Sequence, residues 1–194
     1  MTLFIASLIL YYATHSILAN NQVKKWLTTH LIAPKWYRIS FNIFAIISLL
    51  AVVFLYKTTP KELLFDSGYL NQIVGSLLML IGVILLKKAM KNYDLREFSG
   101  TAQLKNEGSK IIGKLNTSGL NQYVRHPLYF AALFIFWGLL LAVPNTGILA
   151  ITIVSTVYLI IGTKLEEKKL VQEFGDAYLM YQKEVPMLTP HFKF

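Results

Sequence analysis

Five apolar stretches, residues 2–19, 39–56, 70–86, 128–143 and 147–163, leave this chain few ways to fold. Each is long enough to cross, or nearly cross, a hydrocarbon core about 30 Å thick at 1.5 Å of rise per residue. Inside hydrocarbon a single segment satisfies its backbone N–H and C=O groups only as a helix. The expected fold is therefore an all-α integral membrane bundle of five spans. Composition agrees: 55% of residues are hydrophobic and 15% charged, far from the balance of a soluble domain. The last two stretches are short for straight spans, and Pro144-Asn145 between them is a turn signal that predicts a tight hairpin. The first has neither a basic leader nor a small-residue cleavage site, so it is expected to stay as a span.

Basic residues set the orientation. Of 19 lysines and arginines, 17 lie in three regions: 20–38, 87–125 and the tail after Thr163. Placing all three on one side puts the N-terminus outside and the C-terminus in the cytoplasm. The net charge of +9 then describes a membrane face attracted to anionic lipid. Nucleic acid is excluded as a partner, because no soluble basic domain exists to bind it. With no cysteine, disulfides, thiolate nucleophiles and cysteine metal sites are excluded. The histidines (His15, His30, His126, His191) show no metal-ligand spacing, so no metal is expected. Residues 1–194 read as one membrane domain, with residues 164–194 forming cytoplasmic helices. The longest polar stretch, 87–127, carries Gly100, Gly108, Gly113 and Gly119 and is long enough to suggest a functional loop.

A hairpin returns its two ends to one membrane face. Arg125, His126 and Pro127 precede its first arm, and Glu166 and Glu167 follow its second, so the basic and acidic clusters should meet. Charge at a membrane boundary is costly without a functional return. Pro127 suits the first position of a helix, whose early backbone donors and dipole favour an anion such as a carboxylate. After Glu166, Leu170, Phe174, Tyr178 and Tyr181 follow at steps of four, four and three, which predicts one apolar-aromatic helix face. Gly175 is a plausible stop within it and Asp176 a plausible cap for a short last helix. His15 and Asn42, inside the first and second spans, read as structural hydrogen-bonders or as parts of a substrate path. An amphipathic surface helix with solvated glutamates remains the plainer reading of the C-terminal part.

These residues carry a resemblance. From about residue 114 to 190 the chain resembles the superfamily of membrane methyltransferases that includes isoprenylcysteine carboxyl methyltransferase and the phospholipid N-methyltransferases. Gly119, Tyr123, Arg125-His126-Pro127, Tyr129, Glu166-Glu167, Leu170, Phe174-Gly175 and Tyr178 match that pattern. Tyr93-Asp94-Leu95, Val185-Pro186-Met187-Leu188-Thr189-Pro190, His15-Ser16 and Arg38 with Asn42 are similar to the bacterial methanethiol S-methyltransferases and to NnrU-type proteins.

The resemblance implies S-adenosyl-L-methionine as cofactor and in-line transfer of its methyl group to a small or lipophilic acceptor, with thiols favoured. It implies a bacterial inner-membrane enzyme whose cytoplasmic cofactor pocket is made by Gly119, Tyr123, Arg125, His126, Pro127, Tyr129, Glu166, Glu167, Phe174 and Tyr178. Arg125, His126 and Glu167 are the candidates for a catalytic role, and His15 and Asn42 for acceptor contact. The carboxyl-methylating branch has an arginine where Gly162 stands, which argues against a prenylcysteine carboxylate. Phospholipid or prenylcysteine methylation, or non-catalytic binding of a lipid or small molecule, are the alternatives. A nicotinamide-dependent reductase would need more arginines for its phosphates than Arg96 and Arg125. Oligomeric state is not fixed by the sequence.

Overall fold

A computed structural model describes residues 1–91, 93–105 and 115–190. Every regular element among them is helical. Gly108, Gly113 and His191 lie outside the described residues. Contacts divide the chain into two compact units, one of residues 1–61 and 93–112 and the other of residues 62–92 and 113–194.

The first unit contains α1 (Thr2–Ala19), α2 (Asn21–His30), α3 (Pro34–Thr58), α5 (Leu95–Ser99) and α6 (Thr101–Leu104). α1 and α3 pack together through Phe4, which is fully buried and lies 5.6 Å from the Tyr56 ring. The basic region 20–38 is mostly helical. The Asn20 carboxamide oxygen accepts from the Gln22 and Val23 N–H groups and so starts α2. Pro34, at the first turn, starts α3 five residues before its predicted apolar stretch.

The second unit contains α4 (Tyr69–Met90), a 3₁₀ turn (Gly119–Gln122), α7 (Pro127–Ala142), α8 (Thr146–Phe174) and α9 (Asp176–Glu184). α4 and α7 form its tightest pair. Gly75, Gly82 and Ala89, seven residues apart, are the buried positions of α4. They meet α7 where Ala131 and Gly138, also seven apart, are buried. Small residues let the two backbones approach, as is usual where lipid supplies no hydrophobic drive between helices. A Cβ added at Gly75 would stand 2.5 Å from the Gly138 carbonyl oxygen.

The predicted hairpin forms. α7 ends at Ala142 and α8 starts at Thr146, with the Asn145 side chain accepting from the Ile148 N–H at 2.9 Å. Residues 62–64 fasten the turn: the Leu64 N–H donates to the Pro144 carbonyl, and Glu62 and Thr146 exchange hydrogen bonds. Among the described residues, four helices (α1, α3, α4 and α8) are long and apolar enough to cross a membrane. α7 is apolar but has 16 residues, shorter than the other four. Large side chains such as Leu10, Leu50 and Leu70 stay exposed, which suits a lipid environment.

Candidate functional site

The two ends of the hairpin meet. Arg125 Nε donates to Glu167 Oε1 at 2.6 Å, and His126 Nε2 lies 3.1 Å from the same oxygen. Both partners of the Arg125–Glu167 pair are nearly enclosed, with side chains 9% and 13% exposed. His126 Nδ1 faces Glu166 at 3.7 Å, too far for a direct hydrogen bond, and the Glu166 side chain is 44% exposed.

α9 closes over this pair. Gly175, at φ 56° and ψ −132°, adopts a backbone conformation open to glycine and costly for other residues, and it turns the chain between α8 and α9. The apolar-aromatic stripe therefore does not continue along one helix face. Leu170 and Phe174 on α8 pack instead against Tyr178 and Tyr181 on α9, together with Val185. Gly175 takes the cap position expected for Asp176, which stands in the first turn of α9.

Folding back brings new partners to Glu167. The Tyr178 hydroxyl donates to Glu167 Oε1 at 3.4 Å, and Gln182 Nε2 donates to Oε2 at 3.1 Å. The Arg125 guanidinium also donates through Nη1 to the Gln182 and Val185 carbonyls. Glu167 lies four residues past the apolar stretch of α8, outside the span. Burial alone would raise its pKa, but hydrogen bonds and charge from Arg125 and His126 hold the carboxyl below its ordinary value. Burial first, then the Glu167 charge, raises the Tyr178 phenol well above its usual range, so it stays a donor.

The segment after α9 completes the frame. The Arg125 and His126 N–H groups donate to the Pro186 and Met187 carbonyls at 2.9 and 3.2 Å. Asn121 Nδ2 donates to the Arg125 carbonyl, and the Tyr181 hydroxyl donates to the Asn121 carbonyl. Pro127 occupies the first turn of α7 with His126 as its cap. Phe130 N–H makes the first bond back to the His126 carbonyl, at 3.0 Å, and so opens the hydrogen-bond ladder of α7. Tyr129 stacks on His126, ring centres 5.7 Å apart and 17° from parallel. Tyr123, 48% exposed, lines an apolar cleft of about 380 Å³ with Leu85, Leu120, Val124, Pro127 and Phe130. Gly119, at φ 63°, opens the 3₁₀ turn before it.

Arg125, His126, Glu167 and Tyr178 thus come together, with Tyr129 and Glu166 beside them. Phe174 belongs to the apolar cluster rather than the charged network. His15 and Asn42 belong to the first unit, where His15 lies 4.9 Å from the Phe41 ring and Asn42 Nδ2 donates to the Ser99 carbonyl. Sequence reasoning missed Gln182 and Asn121. Gln182 stands one turn after Tyr178 and so shares its face, a signal that was present in the spacing.

Comparison with known proteins decides the family. The family model described as NnrU protein matches residues 3–174. The chain belongs to the NnrU family. This NnrU protein is 28% identical over 189 residues to a methanethiol S-methyltransferase of Pseudomonas deceptionensis, covering 95% of the chain and 70% of that relative. It is 29% identical over 179 residues to one from Crocosphaera subtropica, covering 91% of the chain and 69% of the relative. A shorter match, 48% over 73 residues, joins it to a methanethiol S-methyltransferase of Pseudomonas sp. strain GM41(2012), covering 37% of the chain. No solved structure matches the chain. These relatives support an integral membrane protein with a methyltransferase function at the level of the family.

Proposed function

We propose that this chain transfers a methyl group from S-adenosyl-L-methionine to a small apolar acceptor, a thiol in preference. The observation that carries the proposal is the Arg125–Glu167–His126 network held beside the start of α7, in a chain whose relatives are methanethiol S-methyltransferases. The cofactor, when bound, supplies an electrophilic methyl on a sulfonium. The residues present fit such a molecule. Glu166, half exposed, offers a carboxylate for an ammonium or ribose hydroxyls. The start of α7, with Pro127 in its first turn and the helix dipole behind it, suits a carboxylate. Tyr123 and the His126–Tyr129 stack offer flat surfaces for an adenine ring.

Arg125 and Glu167 have a different task. Both spend hydrogen bonds on protein partners, so they position α9 and the segment after it around the start of α7. His126, 6% exposed, links that frame to Glu166. A thiolate acceptor needs no general base, and no residue is assigned that role. The apolar cleft along Tyr123, Val124 and Phe130 is the proposed place for the acceptor. A dry, oriented site of this kind contributes mainly through positioning.

Gly162 lies one turn before Glu166 on α8, and an added Cβ there meets no atom within 4 Å. A side chain could begin there in open space, yet glycine stands where the carboxyl-methylating branch has its arginine. Prenylcysteine carboxylate would therefore lack a charge partner. The test is transfer of labelled methyl from S-adenosylmethionine to methanethiol, longer thiols, phosphatidylethanolamine and a farnesylated cysteine. Thiols should be labelled at least tenfold faster than the farnesylated cysteine, since a hydrogen bond to a charged group is worth about 1.5–3 kcal/mol. Labelling of the farnesylated cysteine alone overturns the preference, and labelling of no acceptor by protein that binds the cofactor overturns the enzyme reading.

In this proposal α7 is a fifth, short crossing, and the network faces the cytoplasm within one methyltransferase domain of the inner membrane. A reporter placed after Phe194 should then be cytoplasmic and one before Thr2 external. Both reporters on one side would remove a crossing, with α7 the first to fall.

A further inference from the structure

The first unit holds two adjoining cavities at the end where α1, α2 and α3 meet. One, of about 380 Å³, is lined by Asn21, Lys24, Arg38, Asp94 and Gln103. The other, of about 430 Å³, is lined by apolar groups including Ile17, Leu27, Ile32 and Phe44. Leu18, Tyr37 and Phe41 line both. That shared wall is fixed, because Tyr37 is 6% exposed and its hydroxyl donates to the Leu18 carbonyl.

A cation stands on each aromatic ring of the wall. Lys24 Nζ lies 5.9 Å from the centre of the Tyr37 ring, and the Arg38 guanidinium carbon lies 5.5 Å from that of Phe41. The boundary between a polar and an apolar cavity is thus marked by two positive charges. Residues 20–38, which supply both of them, contain no Asp or Glu. Among the described residues that line the polar cavity, Asp94 contributes the one carboxylate. Its Oδ1 accepts from the Arg96 N–H at 2.8 Å to cap α5, which leaves acceptor capacity on the same carboxylate.

We propose that these two cavities bind a single glycerophospholipid. Its phosphate lies toward Lys24 and Arg38, one acyl chain fills the apolar cavity, and a headgroup amine or hydroxyl donates to Asp94. An amphiphile is the chemistry that uses both cavities at once. Inorganic phosphate would occupy only the polar one, and a headgroup without a donor would give the Asp94 carboxylate no hydrogen bond. The site depends on residues of the first unit alone, so it stands whether or not the chain methylates a thiol.

The test uses the full chain, stripped of lipid in detergent, with bound lipid counted by native mass spectrometry. Phosphatidylglycerol and phosphatidylethanolamine should each be retained as one tight copy, and phosphatidylcholine, which lacks a donor, about tenfold more weakly, the value of a hydrogen bond to a charged group. Lys24→Ala should weaken retention about fivefold, the usual value of one interfacial cation. Lys25→Ala removes the same charge next door but lines neither cavity, and should leave retention unchanged. Equal losses for the two lysine variants would reduce the effect to diffuse surface attraction and overturn the site. So would phosphatidylcholine held as tightly as the other two lipids, or inorganic phosphate bound as tightly as any of them.

Discussion

Replacing Glu167 with alanine should abolish methyl transfer to every acceptor and lower the stability of the folded protein by about 3 kcal/mol, the low end for removing one partner of an enclosed ion pair. The loss is large because one carboxylate takes donors from Arg125, His126, Tyr178 and Gln182. Its removal strands the Arg125 guanidinium and releases two side-chain ties that hold α9. Glu167→Gln keeps the shape and part of the hydrogen bonding, so its cost should be smaller, about 1 kcal/mol. The gap between wild type and Glu167→Gln should depend on pH in a stated direction. Because the folded protein holds this carboxyl below its ordinary value of 4.5, its charge stabilises the fold fully above that value. That contribution is lost as pH falls through the lowered folded value, and the two proteins should converge in acid. Unfolding curves in detergent, measured across pH, give the answer. Coincident curves for wild type and Glu167→Ala at neutral pH would mean that the network does not hold α9.

Gly75→Val and Gly138→Val should each prevent close packing of α4 on α7 and cost about 3 kcal/mol or more, the upper range for overpacking. A Cβ at Gly75 would lie 2.5 Å from the Gly138 carbonyl oxygen and 2.6 Å from the Ala142 nitrogen. One at Gly138 would lie 2.7 Å from the Gly75 carbonyl oxygen and 2.9 Å from the Met79 nitrogen. These obstacles are backbone atoms, which cannot rotate away as a side chain could. Gly162→Ala is the matched control: it lies in a membrane helix, and its added Cβ meets nothing within 4 Å. It should be neutral or stabilising, because alanine favours helix over glycine by about 1 kcal/mol. Equal behaviour of all three variants would remove the case for tight contact between α4 and α7.

The spans were legible because a run of apolar residues long enough to cross hydrocarbon has one economical structure. The first was read to its ends, 2–19, and Pro127 was correctly placed at the start of α7. Meeting of Arg125 and His126 with the glutamates followed from hairpin geometry alone. Gly175 was legible as the stop of α8, but the change of direction there was not, and it turns an apparent single stripe into two facing helices. Without that fold-back the Gln182, Pro186 and Met187 carbonyls could not be assigned to Arg125 and His126. The motif 185–190 acquires a physical reason here: its backbone holds the residues before α7. The heptad spacing of Gly75, Gly82 and Ala89 was also present, but apolar content alone does not separate a small residue that admits a neighbour from one that fills a lipid-facing position.

α7 has a further consequence through its length. Sixteen residues rise about 24 Å, some 6 Å less than an average hydrocarbon core. Hydrophobic mismatch of that size is relieved by thinning the bilayer beside the helix, at a cost of fractions of a kcal/mol per ångström. With α7 as the proposed short crossing, the headgroup plane would dip around Arg125 and His126, and the apolar cleft along Tyr123 and Phe130 would lie at the level of the acyl chains. Occupancy of such a cleft is governed by how strongly a molecule partitions into oil. A sparingly soluble, volatile compound becomes concentrated at its mouth, while an equally abundant hydrophilic one stays outside.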